Sequence, residues 1–293
     1  PQPPLAPMGP PPPHAAGWVP PSSDPSRSAE RAVDGNTIIS QYLQQHFSTE
    51  AHTFAGAGKA VADTALSGMI RYPQRIAARL ADKAAALGIP TGRALDIGCA
   101  VGGTCFELAR HCEEVIGLDQ SAAIIGAANR LRTSGTMELF CPDEGELTTT
   151  IKAVVDPTVD RAKVSFKQMD AMCLSPALGE FDLVVVSNLL EALISPGSCL
   201  GRLAGRQGVV KVGGLVLVAS TYDWDARLTP QDLWLGGRRD AAGEQLRSRE
   251  GLAKAMGKCF ELTHEENMPQ VCRINARKYE VVVTNVTIWR RTE

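Results

Sequence analysis

The junction over residues 94–111 constrains this chain more than any other feature. A short apolar run, Ala94–Ile97, enters the turn Gly98-Cys99-Ala100-Val101-Gly102-Gly103 and passes into Cys105–His111, which has the pattern of a helix. A strand that ends in glycines and feeds a helix presents free backbone N–H groups at the helix start. The glycines allow positive φ and close approach of a ligand to the main chain. The same rhythm continues, with strands predicted at Glu114–Leu118, Val164–Met169, Leu183–Ser187 and Leu215–Ser220 and a helix over Ser121–Leu131. Strands alternating with helices imply right-handed crossovers within one parallel sheet. The runs LVVV and LVLVA suit strands buried on both faces. Phe260–His264 and Tyr279–Trp289 break the rhythm: both are rich in β-formers, and the 14 residues between them leave little room for a helical crossover. They are expected to form an antiparallel pair at one edge. The predicted fold is α/β: a doubly wound, mostly parallel sheet with a reversed last strand.

Upstream, residues 36–47 place Ile38, Ile39, Tyr42, Leu43 and His46 at helical spacing, and Pro73 opens a second helix with Ile76, Leu80, Ala84 and Leu87 on one face. Gly88 and Pro90 stop it. Residues 31–90 are therefore expected to be an N-terminal helical cap, and 91–293 the main domain. The first 25 residues hold 11 prolines, a composition that cannot pack a core, so residues 1–30 are expected to be a disordered linker. Residues 136–163 read as an inserted excursion in which Asp143, Glu144 and Glu146 belong to a solvated acidic loop.

A net charge of −2 with scattered Lys and Arg gives no pull toward nucleic acid, and no apolar stretch reaches the roughly 18 residues of a membrane span. The eight cysteines form no CxxC pair, which suits reduced thiols in a cytoplasmic protein. The five histidines lack metal-ligand spacing, so no metal is expected.

The glycine turn can cradle a dinucleotide or S-adenosylmethionine. Asp96, just before Gly98, repels a pyrophosphate but attracts the cationic methionine moiety; Ala100 replaces a glycine of the usual GxG core; the reversed edge pair is a methyltransferase trait. Asp119 ends the second strand, where an acid accepts hydrogen bonds from ribose hydroxyls. Asp170 and Ala171 follow the third strand, placed for the adenine, and Asn188 follows the fourth, facing the methyl group. The expected donor set is Asp96, Gly98, Cys99, Ala100, Gly102, Asp119, Gln120, Asp170, Ala171 and Asn188, with S-adenosylhomocysteine as product. The competing readings are methyl transfer to another small amine, thiol or carboxylate metabolite, a non-catalytic donor-binding module and, more distantly, an NAD-linked oxidoreductase. SNLL after the fourth strand is not the NPPY-type loop of nucleic-acid methylation.

Several segments go further: LDIGCAVGGTCFELAR (95–110), EVIGLDQS (114–121), SNLLEAL (187–193), STYDWDARLTPQDLWLGG (220–237) and ENMPQVCRINARKYEVVVTNVTIWRR (266–291), with ISQYLQQHF (39–47). Over residues 36–293 the chain resembles the class I, Rossmann-like methyltransferase domain of ovothiol biosynthesis. The resemblance implies N-methylation of the imidazole of 5-thiohistidine, giving ovothiol A. It also implies fusion to, or pairing with, an iron-dependent sulfoxide synthase domain, whose histidine motif is absent here. Val271-Cys272-Arg273-Ile274-Asn275 departs from the apolar-Arg-Glu run usual before the family's ARK.

Such a substrate carries a carboxylate, for which a guanidinium fork is the best partner, so Arg273 and Arg277 are candidates. Tyr222 and Trp224 are candidates for stacking on the imidazole, and Tyr42 and Gln45 for closing over the site from the N-terminal helix. Tyr222 and Asn188 are the residues expected beside the reacting atoms. No general base is identified.

Overall fold

The computed structural model describes residues 35–57, 61 and 63–293; the proline-rich segment expected to be a linker lies outside them. The architecture is a seven-stranded sheet with helices on both faces. Its strands are β1 (Arg93–Ile97), β2 (Glu114–Asp119), β5 (Val164–Gln168), β6 (Phe181–Ser187), β7 (Val210–Ser220), β10 (Phe260–Arg273) and β11 (Tyr279–Arg291). Their order is β10-β11-β7-β6-β1-β2-β5. The five strands from β7 to β5 pair in parallel, and β11 runs antiparallel to both β7 and β10. The reversed last strand thus lies between β7 and the edge strand β10. β1 is central, and the chain crosses from one side of it to the other, which opens a crevice at the carboxyl ends of β1 and β6.

Alternation along the buried strands divides the core in two. Ala94, Val115, Leu183 and Val185 face α1 (Gly35–Phe47), α2 (Tyr72–Ala86), α3 (Gly103–Leu108) and α4 (Ala122–Ser134). Leu95, Ile97, Val184 and Val186 face α5 (Pro196–Gly201) and α6 (Ser248–Met256). In α2 the predicted stripe is present: Ile76, Leu80 and Ala84 are buried, whereas Leu87 is the exposed C-terminal cap. Pro73 occupies the first turn, where its missing N–H costs nothing.

Two expectations are corrected. Residues 136–163 are not merely a solvated loop: β3 (Thr136–Pro142) and β4 (Thr148–Val154) form an antiparallel hairpin. Its inner face buries Leu139, Cys141 and Ala153, and the Phe140 N–H donates to Ser40 Oγ of α1 at 3.3 Å. The short apolar run Leu139-Phe140-Cys141 was the available signal. The acidic turn is also structural, because Asp143 Oδ1 accepts from Arg273 Nη2 at 2.7 Å. The second correction concerns β10, which runs on to Arg273, so that residues 274–278 make a short hairpin connection. Pro269 does not stop it, since on an edge strand the lost ladder donor can face outward. A further short ladder joins β8 (Arg238–Arg239) to β9 (Gln245–Leu246). Among the described residues no helix is long and apolar enough to cross a membrane.

Candidate active site

A cleft of about 810 Å³ opens at the carboxyl ends of β1, β2 and β6 and is roofed by α1 and α2. Its floor is the first glycine turn. The N–H groups of Gly98 and Cys99 both donate to Leu118 O at 2.8 Å, pinning the turn to β2. Gly98 has φ +80°, and a Cβ there would lie 3.0 Å from the Leu189 methyls. Gly102, at φ +88°, caps the N-terminus of α3, where a Cβ would fall 2.3 Å from the Phe166 ring. Ala100 is held at φ +47° with its N–H on Asp119 Oδ2 at 3.3 Å.

Two carboxylates face this cleft. Asp96 is 2% exposed; burial, reinforced by Asp119, pushes its carboxyl up to about 7 despite a Cys105 Sγ donor at 3.3 Å. Burial likewise raises Asp119 to about 6, against the opposing pull of the Ser121 and Ala100 N–H groups. Neither carboxylate has an ion-pair partner among the described residues. Two desolvated acids without a cation form an environment that favours a positively charged ligand. Asn188, at the end of β6, contributes a buried Oδ1 with no partner and a strained φ of +49°. Strain and an unsatisfied acceptor at one residue are features that cluster at functional sites. These groups fit a donor with a sulfonium, an ammonium and ribose hydroxyls.

The roof comes from residues before β1. Tyr42, Gln45 and His46 lie on successive positions of one α1 face, and Tyr72, Pro73 and Ile76 open α2. His46 Nδ1 accepts the Gly103 N–H at 3.1 Å, so the roof is hydrogen-bonded directly to the start of α3. Burial depresses the His46 imidazole to about 3, leaving it neutral at pH 7. Tyr72 Oη lies 3.5 Å from Ser187 Oγ, and burial raises its phenol to about 12. Burial also raises the phenol of Tyr42.

The expected donor residues Asp96, Gly98, Cys99, Ala100, Asp119, Gln120, Ala171 and Asn188 all line the cleft. Gly102 lies behind it as the helix cap. Asp170 does not line it: its carboxylate accepts from the Met172 N–H at 2.8 Å and shapes the local turn, while Met169 and Ala171 face the cavity. His46, Tyr72, Thr104, Met169 and Ser187 also line the cleft and were not among the site residues expected from the sequence. His46 had a signal, since it lies at i+4 from Tyr42.

The acceptor candidates separate. Tyr42 and Gln45 border the cleft and also a second cavity of about 640 Å³ between α1, the Ile70-Arg71 turn and the end of β10. Arg273 lines that second cavity, with its guanidinium tied to Asp143, Pro142 O and His52 O. Arg277 is exposed on the β10–β11 turn and lines neither cavity. Tyr222 lies outside both: its φ is +58°, its N–H donates to Glu191 Oε1 at 2.7 Å and its Oη donates to Asn285 at 2.9 Å. Trp224 packs against Trp234 and donates to Ser248 Oγ at 2.8 Å, the environment of an anchor. Among the described residues no cluster of three or more His, Cys, Asp or Glu is arranged to hold a metal.

Two curated relatives are ubiquinone biosynthesis O-methyltransferases. One, from Bradyrhizobium sp. (strain ORS 278), is 29% identical over 128 residues, 44% of this chain and 39% of the relative. The other, from Rhodopseudomonas palustris (strain BisA53), is 25% identical over 166 residues, 48% of this chain and 54% of the relative. The chain thus spans about half or less of the length of these relatives. Among solved structures it is similar to the N-methyltransferase NodS from Bradyrhizobium japonicum WM9, in complex with S-adenosyl-L-homocysteine. That pair has a TM-score of 0.48 and 15% identity, covering 87% of this chain and 99% of the other. It is similar also to magnesium protoporphyrin IX methyltransferase from Synechocystis PCC 6803 with bound S-adenosylmethionine. Here the TM-score is 0.47 and the identity 16%, covering 89% and 98%. Residues 69–283 match the methyltransferase domain family. With that match over most of its length and a parallel sheet closed by a reversed last strand, the chain belongs to the methyltransferase domain family, with the fold of the class I, S-adenosylmethionine-dependent enzymes.

Proposed function

We propose that the cleft binds S-adenosylmethionine and that the enzyme transfers its methyl group to a ring nitrogen of 5-thiohistidine, giving ovothiol A. The observation that carries the donor half is the pair Asp96 and Asp119, two buried carboxylates without a cationic partner on the walls of one cleft. The acceptor half rests on the motif resemblance, on TYDW…TP…WLGG and the MP…ARKY ending above all.

The bound donor supplies an electrophilic methyl group on a sulfonium. Asp96 complements the positive methionine end, and Asp119, at the end of β2, accepts the ribose hydroxyls. The Gly98–Ala100 backbone allows close approach, and Met169 and Ala171 flank the adenine. Tyr42, Gln45 and Asn188 hold the acceptor beside the donor, and α1 and α2 keep water out. Holding two reactants in line can supply about 7–11 kcal/mol of the barrier reduction. Attack by an unprotonated ring nitrogen needs no base in the transfer itself; the ring N–H proton leaves afterwards.

The test is incubation of the chain with S-adenosylmethionine and 5-thiohistidine, with histidine, cysteine and a phenolic acceptor as controls, followed by product mass. One added methyl on thiohistidine alone supports the reading. Methylation of the phenol alone would move the enzyme to oxygen acceptors, the chemistry named for its curated relatives.

A further inference from the structure

The second cavity holds an unusual concentration of unsatisfied polar atoms. Gln44 Nε2, Ser48 Oγ and Arg273 Nε are all buried without a hydrogen-bond partner, and all three residues line it. Their residues are 7%, 5% and 8% exposed. A donor left buried and unpaired is costly, so three on residues that line one cavity mark it as a place for a partner. Nε2 of a glutamine and Nε of an arginine can only donate, and a serine hydroxyl can do so. A ligand that pairs all three must therefore bring hydrogen-bond acceptors.

Charge narrows the choice further. Arg273 is neutralised by Asp143 at 2.7 Å, but Arg71, which also lines the cavity, has no carboxylate partner among the described ion pairs. Arg71 is fixed in the left-handed region at φ +55°, immediately before Tyr72 and Pro73 of the cleft roof. An anion suits this surface better than a neutral oxygen. Tyr42 and Gln45 border both cavities, so a ligand spanning them would put its anionic end here and its other end beside the donor.

We infer that the cavity bounded by α1, Arg71 and the end of β10 is the carboxylate subsite of the acceptor, built by Gln44, Ser48, Arg71 and Arg273 Nε, and that the acceptor is a small amino acid rather than a decarboxylated amine. This rests on the proposed methyltransferase site but names residues outside it. It also reassigns Arg273: the nitrogens at its fork hold the fold together, and only Nε remains for a ligand.

The experiment is calorimetry on the full chain saturated with S-adenosylhomocysteine. Ligands are 5-thiohistidine and histidine, each against its decarboxylated counterpart, 5-thiohistamine and histamine. Expected is binding of at least one carboxylated ligand, roughly 10- to 100-fold tighter than its amine. That preference should shrink roughly tenfold in Gln44→Met and in Ser48→Ala, while both variants retain wild-type affinity for S-adenosylhomocysteine and melt at or above the wild-type temperature. Equal binding of acid and amine, no binding of either acid, or an undiminished preference in both folded variants would overturn the subsite. Failure of S-adenosylhomocysteine to bind the wild type would instead strike the donor reading, and the acid-against-amine comparison, run on the chain alone, would still judge the subsite.

Discussion

The backbone N–H of Gly103 donates to Nδ1 of His46 at 3.1 Å, and this bond couples a helix that precedes the sheet by some fifty residues to the glycine turn on the floor of the cleft. A Cβ on Gly103 would lie 2.7 Å from the same nitrogen, so the contact also requires glycine at the start of α3. Gln74 Nε2 on the His46 carbonyl at 2.6 Å and Gln45 Nε2 on Gln270 Oε1 at 2.8 Å hold the same turn of α1 from two other sides.

His46→Leu is expected to lower stability at pH 7 by about 1–3 kcal/mol, because it leaves the Gly103 donor buried and unpaired. The histidine is neutral in the fold down to about pH 3, whereas the unfolded chain protonates it below about 6.5. Its contribution is thus complete above pH 6.5 and falls by roughly 1.4 kcal/mol per unit as pH drops toward 3. Denaturant unfolding of both proteins from pH 7.5 to 4.5 checks this: the gap between wild type and variant should narrow on acidification. A constant gap would mean that His46 does not stay neutral in the fold.

Asp96 and Asp119 titrate the other way. Their raised folded values, about 7 and 6, mean that the unliganded fold takes up protons the unfolded chain has lost, so their effect on stability worsens as pH rises from about 4 to 7. A cationic donor reverses that penalty. S-adenosylmethionine should bind more tightly at pH 8 than at pH 5.5 and release protons near pH 6.5. Calorimetry in two buffers of different ionisation enthalpy measures the release. Asp96→Asn should melt higher than wild type at pH 8 without donor, yet bind the donor roughly tenfold or more weakly.

Gly102→Ala should fail on two counts: φ is +88°, and the new methyl would meet the Phe166 ring at 2.3 Å. The left-handed backbone alone costs on the order of 1–2 kcal/mol, and overpacking adds about 1–3. Thermal denaturation measures the loss, and S-adenosylhomocysteine affinity should fall with it because the turn and α3 are displaced. A variant that melts and binds like wild type would show that the turn accommodates a side chain.

Arg273→Met should destabilise by about 2–3 kcal/mol, less than the full cost of breaking a buried pair, since the Asp143 side chain is 31% exposed. The guanidinium ties β10 to the β3–β4 turn and to the His52 carbonyl, so the loss should appear first as faster amide exchange in the β3–β4 hairpin. Unchanged exchange there would separate Arg273 from the hairpin's stability.

Much of the cleft lining was legible in the sequence, because it is local. Asp96, Gly98 and Ala100 lie in one turn, Asp119 and Asn188 end strands, and the carboxyl ends of a parallel sheet converge whatever the connecting segments do. The parallel sheet followed from the same alternation, and the antiparallel final pair from a connection too short for a crossover helix, whereas the strand order is seen only in the structure. Where a polar side chain bonds was not legible. Asp170 follows its strand as expected, yet turns to its own backbone at Met172. Tyr222 and Trp224 follow β7 as expected, yet close onto Asn285 and Ser248.

Sequence alone determined the sheet, its glycine turn and the acids around it, since period-two burial, glycine stereochemistry and strand-end geometry act over a few residues. Only the tertiary structure decided what roofs the cleft and what stands beside it. His46 meets Gly103, Gln45 meets Gln270, and Asp143 meets Arg273 across 57, 225 and 130 residues of chain. Hydrogen bonds of that reach depend on how packed elements pass one another, and no local pattern encodes that.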